Sequence, residues 1–495
     1  MIKKILIANR GEIACRIMNT CKEMGIESVA VYSDVDQKAL HVLMADYAYC
    51  IGTSEPSQSY LNIEKILDVA KQSGADAIHP GYGFLAENAA FAARCEEEDV
   101  IFIGPSSKVI SELGDKTIAR QIMIKGGVPV TPGMMQAESD PKIMAREADR
   151  IGYPVLIKAA AGGGGKGMRI VKHPEEIHAA CAAASSEAAS AFGNGAIYLE
   201  KYIEKPRHVE FQILADSHGN VIHLLERECS IQRRHQKIIE ETPSPAVTPA
   251  LREQMGNAAV AAAKASGYVN AGTVEFLLDS EGHFYFLEVN TRLQVEHPIT
   301  EMVTGIDIVR RQIEIASGKS LSLKQEDIAG RGHAIECRVY AEDPEKDFFP
   351  SPGKIVFLKE PSGPGIRNDC GVYTDVEVPV DYDPIISKLI VHAENREKAI
   401  LKMIKALSEY VILGVKTPVP FLMDVLKSEA FADGETYTDF IAKHFEKWSP
   451  GEGDIDTALI AFVAGELSVK GNHQFQSSSA NDALSPWKTL GNWRL

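Results

Sequence analysis

Glu275, Glu288 and Asn290 are the residues whose types and spacing first suggest chemistry. Residues 273–278 (TVEFLL), the turn 279–282 (DSEG) and the return 283–290 (HFYFLEVN) read as a β-hairpin. A two- or four-residue connection sets Glu275 opposite Phe286 and puts Glu288 and Asn290 on the face of Glu275. Two carboxylates and an amide oxygen then converge, with the acids placed diagonally. Like charges so placed repel unless a cation lies between them, and an all-oxygen set suits Mg²⁺, which often also binds substrate phosphates. A three- or five-residue connection reverses the parity and dissolves the site. The second strand is expected to run on through residues 291–297 until Pro298 stops it, lining up Glu288, Asn290, Arg292, Gln294 and Glu296 on one face. A half-exposed strand is polar on its outer face anyway; the facing Glu275 tips the reading towards a metal–anion site.

Two further segments suit an anionic, phosphate-bearing ligand. Gly162, Gly163, Gly164 and Gly165 precede Lys166, Gly167 and Met168 between two expected strands, so backbone N–H groups there can approach phosphate oxygens closely. Lys158, just upstream, can reach the same phosphates. No G-K-[ST] opens a helix, so this is not a Walker loop, and a plain surface loop is the competing reading. Arg227, Arg233, Arg234 and Lys237, followed by Glu240 and Glu241, form a local basic cluster for a phosphate or bicarbonate, against the commoner reading of a solvated charged face. Lys116 reads as a surface lysine, His208 and His235 as hydrogen-bonded structural histidines, and Arg338 as a strand residue between buried neighbours. The loop 79–84 (HPGYGF) lies at the carboxyl end of a strand, where open α/β sheets place ligands.

The elements that must position these groups fall into an ordered series. Strands over 5–8, 28–32, 75–79 and 100–103 alternate with helices over 12–24 and 88–95, with Gly25 as a C-cap, which implies a parallel sheet covered by helices. The turn after the first strand is Asn9-Arg10-Gly11-Glu12, so the dinucleotide fingerprint is missing. Strands follow at 151–158, 168–171 and 221–226, with an alanine-rich helix over 174–191. Short strands fill 332–391, then helices are expected at 396–413 and 438–445. Beyond Trp448 a short helix over 454–467 and a polar linker over 471–481 are expected.

Composition narrows the class. The 495 residues are 45% apolar and 24% charged, with a formal charge of −16 from 52 basic and 68 acidic side chains. That is ordinary for a globular protein of three or four domains and argues against nucleic-acid or anionic-membrane binding. Eight cysteines are scattered without a C-x-x-C pair, the start has only a four-residue apolar run, and no segment is long enough to span a membrane. The expectation is a soluble cytoplasmic protein.

Taken together, the segments 8–17 (ANRGEIACRI), 79–88 (HPGYGFLAEN), 158–169 (KAAAGGGGKGMR), 200–212 (EKYIEKPRHVEFQ), 227–241 (RECSIQRRHQKIIEE), 272–276 (GTVEF) and 288–301 (EVNTRLQVEHPITE) resemble biotin carboxylase, within the ATP-grasp superfamily, over about residues 1–446. The resemblance implies an α/β and α+β multidomain fold. Residues 1–113 would be a doubly wound parallel-sheet domain, 114–203 the ATP-grasp lid with its linker, 204–330 the ATP-grasp core and 331–446 a β-rich C-terminal domain. Residues 447–495 would be a tail towards a downstream partner domain. It implies an ATP-binding set of Lys116, Lys158, Gly162, Gly163, Gly164, Gly165, Met168, His208, Gln232 and His235, with Glu200, Lys201 and Ile203 as the adenine hinge and Leu277 under the base. Glu275, Glu288 and Asn290 match the family's Mg²⁺ (or Mn²⁺) positions. Lys237, Arg292, Gln294 and the backbone of Val295 match its bicarbonate pocket. Glu296 matches its general base, Arg338 the residue that stabilises the biotin enolate, and Tyr82 lies near the biotin pocket. The implied activity is ATP-dependent carboxylation of biotin through carboxyphosphate, in a biotin-dependent acyl-CoA carboxylase. The implied partners are a biotin carrier, a carboxyltransferase and a second copy or larger complex.

Some features depart from the pattern. Ala161 and Lys166 stand where some members carry a fifth glycine and an arginine, and no Met-Lys-Met biotinylation motif is present. The tail ending SPWKTLGNWRL resembles the lead-in to the downstream domains of longer α-chains. A biotin carrier would then be a separate chain, or this chain stops short of one. Three other readings stay open: a different ATP-grasp ligase phosphorylating bicarbonate or a carboxylate, the biotin carboxylase component of a pyruvate carboxylase, and a non-catalytic nucleotide-binding subunit.

Overall fold

The first β–α turns already show how the N-terminal part builds one wall of a cleft. β1 (Lys4–Ile7), β2 (Glu27–Ser33), β3 (Tyr47–Gly52), β4 (Ala77–His79) and β5 (Ile101–Phe102) form a parallel sheet in the order β3-β2-β1-β4-β5. The coordinates are a computed structural model that describes residues 2–134, 136–138, 140–160 and 168–451. Helix α1 (Gly11–Met24) ends on Gly25 with φ 68°, the left-handed C-cap expected. The strand order reverses between β1 and β4, the place where open α/β sheets leave a crevice. There Asn9 donates through Nδ2 to the carbonyls of Pro80 (2.8 Å) and Tyr82 (2.7 Å), tying the two loops together. Gly81 suits this approach: its φ is +64° and a β-carbon would lie 2.9 Å from Asn9 Nδ2.

A small antiparallel sheet follows, β7-β6-β8, from β6 (Val155–Ala159), β7 (Arg169–Val171) and β8 (Ile197–Lys201). The strand expected from 151 starts only at Val155, because the helix Pro141–Ile151 runs to Ile151 and Pro154 cannot serve a ladder interior. The alanine-rich helix is Ile177–Phe192, and it packs with Met144, Ala148, Val155 and Ile157. The glycines 162–165, the expected helix 454–467 and the polar tail lie outside the described residues.

The floor of the cleft is an eight-stranded antiparallel sheet. It contains β9 (Arg207–Ala215), β10 (Val221–Arg233), β11 (Gln236–Thr242), β12 (Asn270–Leu278), β13 (Phe284–Asn290) and β14 (His333–Tyr340), followed by the strands Ile385–Ala393 and Ile366–Cys370. The order is β13-β12-β9-β10-β11-β14, then Ile385–Ala393 and Ile366–Cys370 at the edge. The strand expected over 221–226 runs on to Arg233, through a bulge at which Leu225 takes φ 68°. The basic cluster is therefore not one solvated face. Arg234 and His235, with φ 49° and 67°, are a two-residue hairpin turn between β10 and β11, as positive-φ turns favour. Arg227 is fully buried mid-strand, held by Glu210 (2.6 Å), Gln212 (2.8 Å), Thr300 (3.0 Å) and Thr273 (3.1 Å).

On the sheet's other face Val274, Phe276, Phe286 and Val289 join Phe211, Met255 and Ala259 in a core against the helix Pro249–Ser266. Fully burying each such side chain stabilises by about 1.5–3 kcal/mol. In the C-terminal part the helix expected over 396–413 ends at Glu409, and Val411–Leu413 instead pairs with Phe357–Lys359. Among the described residues no helix is long and apolar enough to cross a membrane.

Candidate active site

The hairpin reaches the expected convergence by a different route. Leu278 pairs with Phe284 and Phe276 with Phe286, so the connection from Asp279 to His283 has five residues, the length that reverses the parity. The register then shifts, and Glu275 pairs with Glu288 and Thr273 with Asn290. Leu287 is the extra residue of a β-bulge: Phe286 and Val289 face the core, while Leu287 and Glu288 both line the cleft. The bulge restores the face that the five-residue turn loses. Glu275 stands directly opposite Glu288, not opposite Phe286 as a regular hairpin would place it.

The strand expected over 291–297 is absent. β13 ends at Asn290, and Pro298 stands in the first turn of the helix His297–Thr304 instead of stopping a strand. The intervening loop still delivers its side chains to the site. Arg292 donates to Asn290 Oδ1 (3.1 Å) and Gln294 Oε1 (2.9 Å), and Gln294 Nε2 donates to Glu275 (3.1 Å). Glu87 holds the loop from the N-terminal side, accepting from Thr291 N (3.0 Å) and Arg292 Nε (2.9 Å).

At the centre lies Lys237. Its ammonium contacts Glu210 at 2.6 Å, Glu275 at 2.8 Å and Glu296 at 2.7 Å. Burial alone would raise the Glu275 carboxyl, but Lys237 and His208, the latter at 2.8 Å, overcome it and hold the group well below its ordinary value. Burial likewise acts against charged Glu296, and Lys237, Arg338 and Arg227 overcome it. Burial would lower His208, yet the Glu275 charge raises it. Arg338 bridges Glu240 (2.6 Å) and Glu296 (3.0 Å). Glu288 behaves differently: its side chain is open to solvent, the crowding of the cleft and then the charge of Glu275 push its carboxyl up, and among the described residues it has no ion-pair partner. An unneutralised carboxylate facing a second one fits a hard divalent cation, but the expected amide oxygen is turned away: Asn290 Nδ2 donates to Glu275 Oε1 (2.7 Å) while its Oδ1 accepts from Arg292.

Most of the sequence-selected residues line one cleft of about 1160 Å³. Lys158, Met168, Glu200, Lys201, Ile203, His208, Gln232, His235 and Leu277 line it, together with Tyr82 and Arg338. Lys237, Glu275, Glu288, Asn290, Arg292, Gln294 and Val295 line the same cleft. Lys158 and Arg120 both pair with Glu200, and Lys116 opens a helix (Lys116–Lys125) beside Lys158 and Glu288 in an adjoining hollow. Glu296 is fully buried behind Lys237 and Arg338 and does not itself line the cleft. The Lys201 ammonium turns away to the carbonyls of Gly152 (2.9 Å) and Tyr153 (2.8 Å), leaving its backbone at the cleft.

Three family models match in chain order: biotin carboxylase, N-terminal domain, over residues 1–110; carbamoyl-phosphate synthase L chain, ATP binding domain, over 115–324; and biotin carboxylase C-terminal domain over 336–443. A pyruvate carboxylase subunit of Methanothermobacter thermautotrophicus is 58% identical over 444 residues, covering 90% of each chain. The chain belongs to the biotin carboxylase family. With that family it is an ATP-dependent carboxylating ligase. The methylcrotonoyl-CoA carboxylase α subunit of Dictyostelium discoideum is 50% identical over 495 residues, spanning 100% of this chain and 70% of that one. The biotin carboxylase domain dimer of Hydrogenobacter thermophilus 2-oxoglutarate carboxylase, solved with MgADP, ADP and bicarbonate, superimposes with a TM-score of 0.87 at 51% identity, covering 91% of this chain and 100% of that one.

Several residues of this site escape a reading of the sequence. Glu210 shares a strand face with His208 and Gln212, alternating with buried Val209 and Phe211, and that period of two is a readable signal. Glu240, in the segment read as part of a basic cluster, holds Arg338. Lys388, in a run that reads as ordinary core, and Glu12, in the turn after the first strand, are fully buried and 3.1 Å apart.

Proposed function

We propose that the chain carboxylates N1 of biotin on a carrier domain or protein, as the first half-reaction of a biotin-dependent acyl-CoA carboxylase. One observation carries the reading: Glu296 is held ionised between Lys237 and Arg338, which both line the cleft, and Lys237 also reaches Glu275 of the facing carboxylate pair. ATP lies with its base by Glu200, Lys201, Ile203 and Leu277. Its phosphates face Lys116, Lys158, His208, Gln232, His235 and Met168; the glycines 162–165, which lie outside the described residues, belong to the same proposed ATP-binding set. Glu275 and Glu288, with Asn290, would hold Mg²⁺ or Mn²⁺, which would supply charge neutralisation for the moving phosphoryl group.

Bicarbonate sits against Lys237, Arg292, Gln294 and the backbone of Val295. Glu296 takes its proton, and the freed oxygen attacks the γ-phosphorus, releasing ADP and forming carboxyphosphate. Carboxyphosphate breaks to CO₂ and phosphate, and phosphate takes the N1 proton of biotin. Arg338, on the Tyr82 side, stabilises the ureido oxyanion that attacks CO₂. The lid excludes water while this intermediate lives.

The acyl-CoA assignment draws on the match to a methylcrotonoyl-CoA carboxylase α subunit, which runs through the tail to residue 495. A pyruvate acceptor is the second reading, favoured by the higher identity to a pyruvate carboxylase subunit. Partners would be a biotin carrier, a carboxyltransferase and a second copy of this chain. A match over 115–324 supports an ATP-grasp region within 114–330, which we divide into lid (114–203) and core (204–330), and a match over 336–443 supports the C-terminal domain at 331–446.

Phosphate release from ATP should require bicarbonate and rise on adding free biotin. Release indifferent to biotin would favour another ATP-grasp ligase, and no release a nucleotide-binding subunit. Glu288→Lys should place an ammonium in the cation position and lower Mg²⁺-dependent turnover by about 10³-fold, measured by the same assay. Retained turnover would remove the facing carboxylates from the chemistry.

A further inference from the structure

A loop presents backbone N–H groups to an anion only when its carbonyls are held elsewhere. In the loop after Asn290 two carbonyls are so held. The Gln294 carbonyl accepts from His297 Nδ1 at 2.7 Å and from the His297 backbone N–H at 3.3 Å. The Val295 carbonyl accepts from Lys388 Nζ at 3.0 Å. In a planar trans peptide C=O and N–H point to opposite sides. Pinning the first carbonyl turns the Val295 N–H the other way, and pinning the second does the same to the Glu296 N–H. Neither N–H finds an acceptor among the described residues, and Val295 lines the cleft.

Both anchors are built to hold one state. A carbonyl only accepts, so His297 Nδ1 carries the hydrogen, and Nε2 is buried without a partner. Burial, then the charges of Lys388, Arg16 and Arg367, keeps the ring neutral. Lys388 is fully buried on the strand Ile385–Ala393, steadied by Glu12 at 3.1 Å and Asp369 at 3.8 Å. Glu12 in turn accepts from the Tyr82 hydroxyl.

We propose that His297 and Lys388 are positioning residues that aim the backbone N–H groups of Val295 and Glu296 at the substrate bicarbonate. They touch no substrate themselves. The inference rests on the reading that this loop holds bicarbonate, and the controls separate the two.

His297→Leu removes the donor to Gln294, whereas His297→Asn puts an amide nitrogen near the Nδ1 position. His297→Leu should raise KM for bicarbonate roughly 10- to 100-fold, the range for a hydrogen bond to a charged group, with KM for ATP within about twofold of wild type. His297→Asn should recover most of the loss. An unchanged bicarbonate KM in the leucine variant, or an asparagine variant no better than leucine, overturns the proposal. Arg292→Ala and Gln294→Ala run in parallel: if they too leave the bicarbonate KM unmoved, the bicarbonate reading of the loop fails; if they raise it while His297→Leu does not, only the positioning role fails. Should His297→Leu not fold, the wild-type chain decides. Labelled with [¹⁵N]valine and assigned through Val295→Ile, its Val295 amide signal should shift when bicarbonate is added with MgADP, and a signal that stays put overturns the proposal.

Discussion

Exchange of Glu296 for glutamine is expected to lower biotin carboxylation by roughly 10²- to 10⁴-fold, the usual worth of a positioned general base, with ATP affinity near wild type. Glutamine keeps the shape but neither the charge nor the capacity to take a proton. In the native chain the carboxylate is fully buried, 2.7 Å from Lys237 and 3.0 Å from Arg338. Those two cations keep it ionised despite burial, so it waits unprotonated for the substrate. An ion-paired carboxylate is a weak base. Bicarbonate entering beside Lys237 would share that ammonium and raise the carboxylate's proton affinity at the moment it is needed. The nucleotide end of the cleft does not touch Glu296, which is why binding survives. Steady-state rates and calorimetric ATP binding test both halves; turnover above a tenth of wild type would remove Glu296 from proton transfer.

Lys237→Met should be costly to the fold as well as to activity. It strips the shared cation from Glu210, Glu275 and Glu296, all buried. Breaking a buried pair by removing one partner costs about 3–5 kcal/mol. The pH dependence follows from the direction of the shifts. In the wild type Glu275 and Glu296 are depressed below 4.5, so their contribution to stability is present above that pH and is lost as pH falls through the folded values. In the variant burial dominates and the carboxyls rise, so folding is penalised at neutral pH and relieved as acid protonates them. The deficit measured by denaturant titration should therefore be large at neutral pH and shrink near pH 5. An equal deficit at both would mean that the three acids do not lean on Lys237.

The parallel N-terminal sheet was legible because its apolar runs, Gly25 and the strand–helix alternation all point one way. The cleft residues were legible as types in a spacing, and the family motifs joined them. What could not be read was the local geometry that brings them together. A one-residue bulge leaves no mark in LEVN that a regular strand would not also leave. The loop 291–296 carries polar residues at alternate positions, as a strand would, and the bend into the helix His297–Thr304 depends on tertiary anchors from Glu87, Lys388 and His297 itself. Arg227 reads as part of a basic surface, because nothing local says that Glu210, Gln212, Thr273 and Thr300 will surround it. Partners that lie far along the chain are invisible until the sheet is assembled.

The bulge at Leu287 separates two registers in one ribbon. The tip and its first pairs obey one count; Glu275 and Glu288, fastened on one side to β9 through the Glu275–Glu210 pairing, obey another. Length at the exposed tip can thus drift, by inheritance or by deliberate splicing, with the ligands left where they are. Loss of the single codon for Leu287 would remove only the extra residue: Phe286 and then Glu288 would oppose Phe276 and Glu275 in an unbroken ladder, and the later side chains would keep their sides.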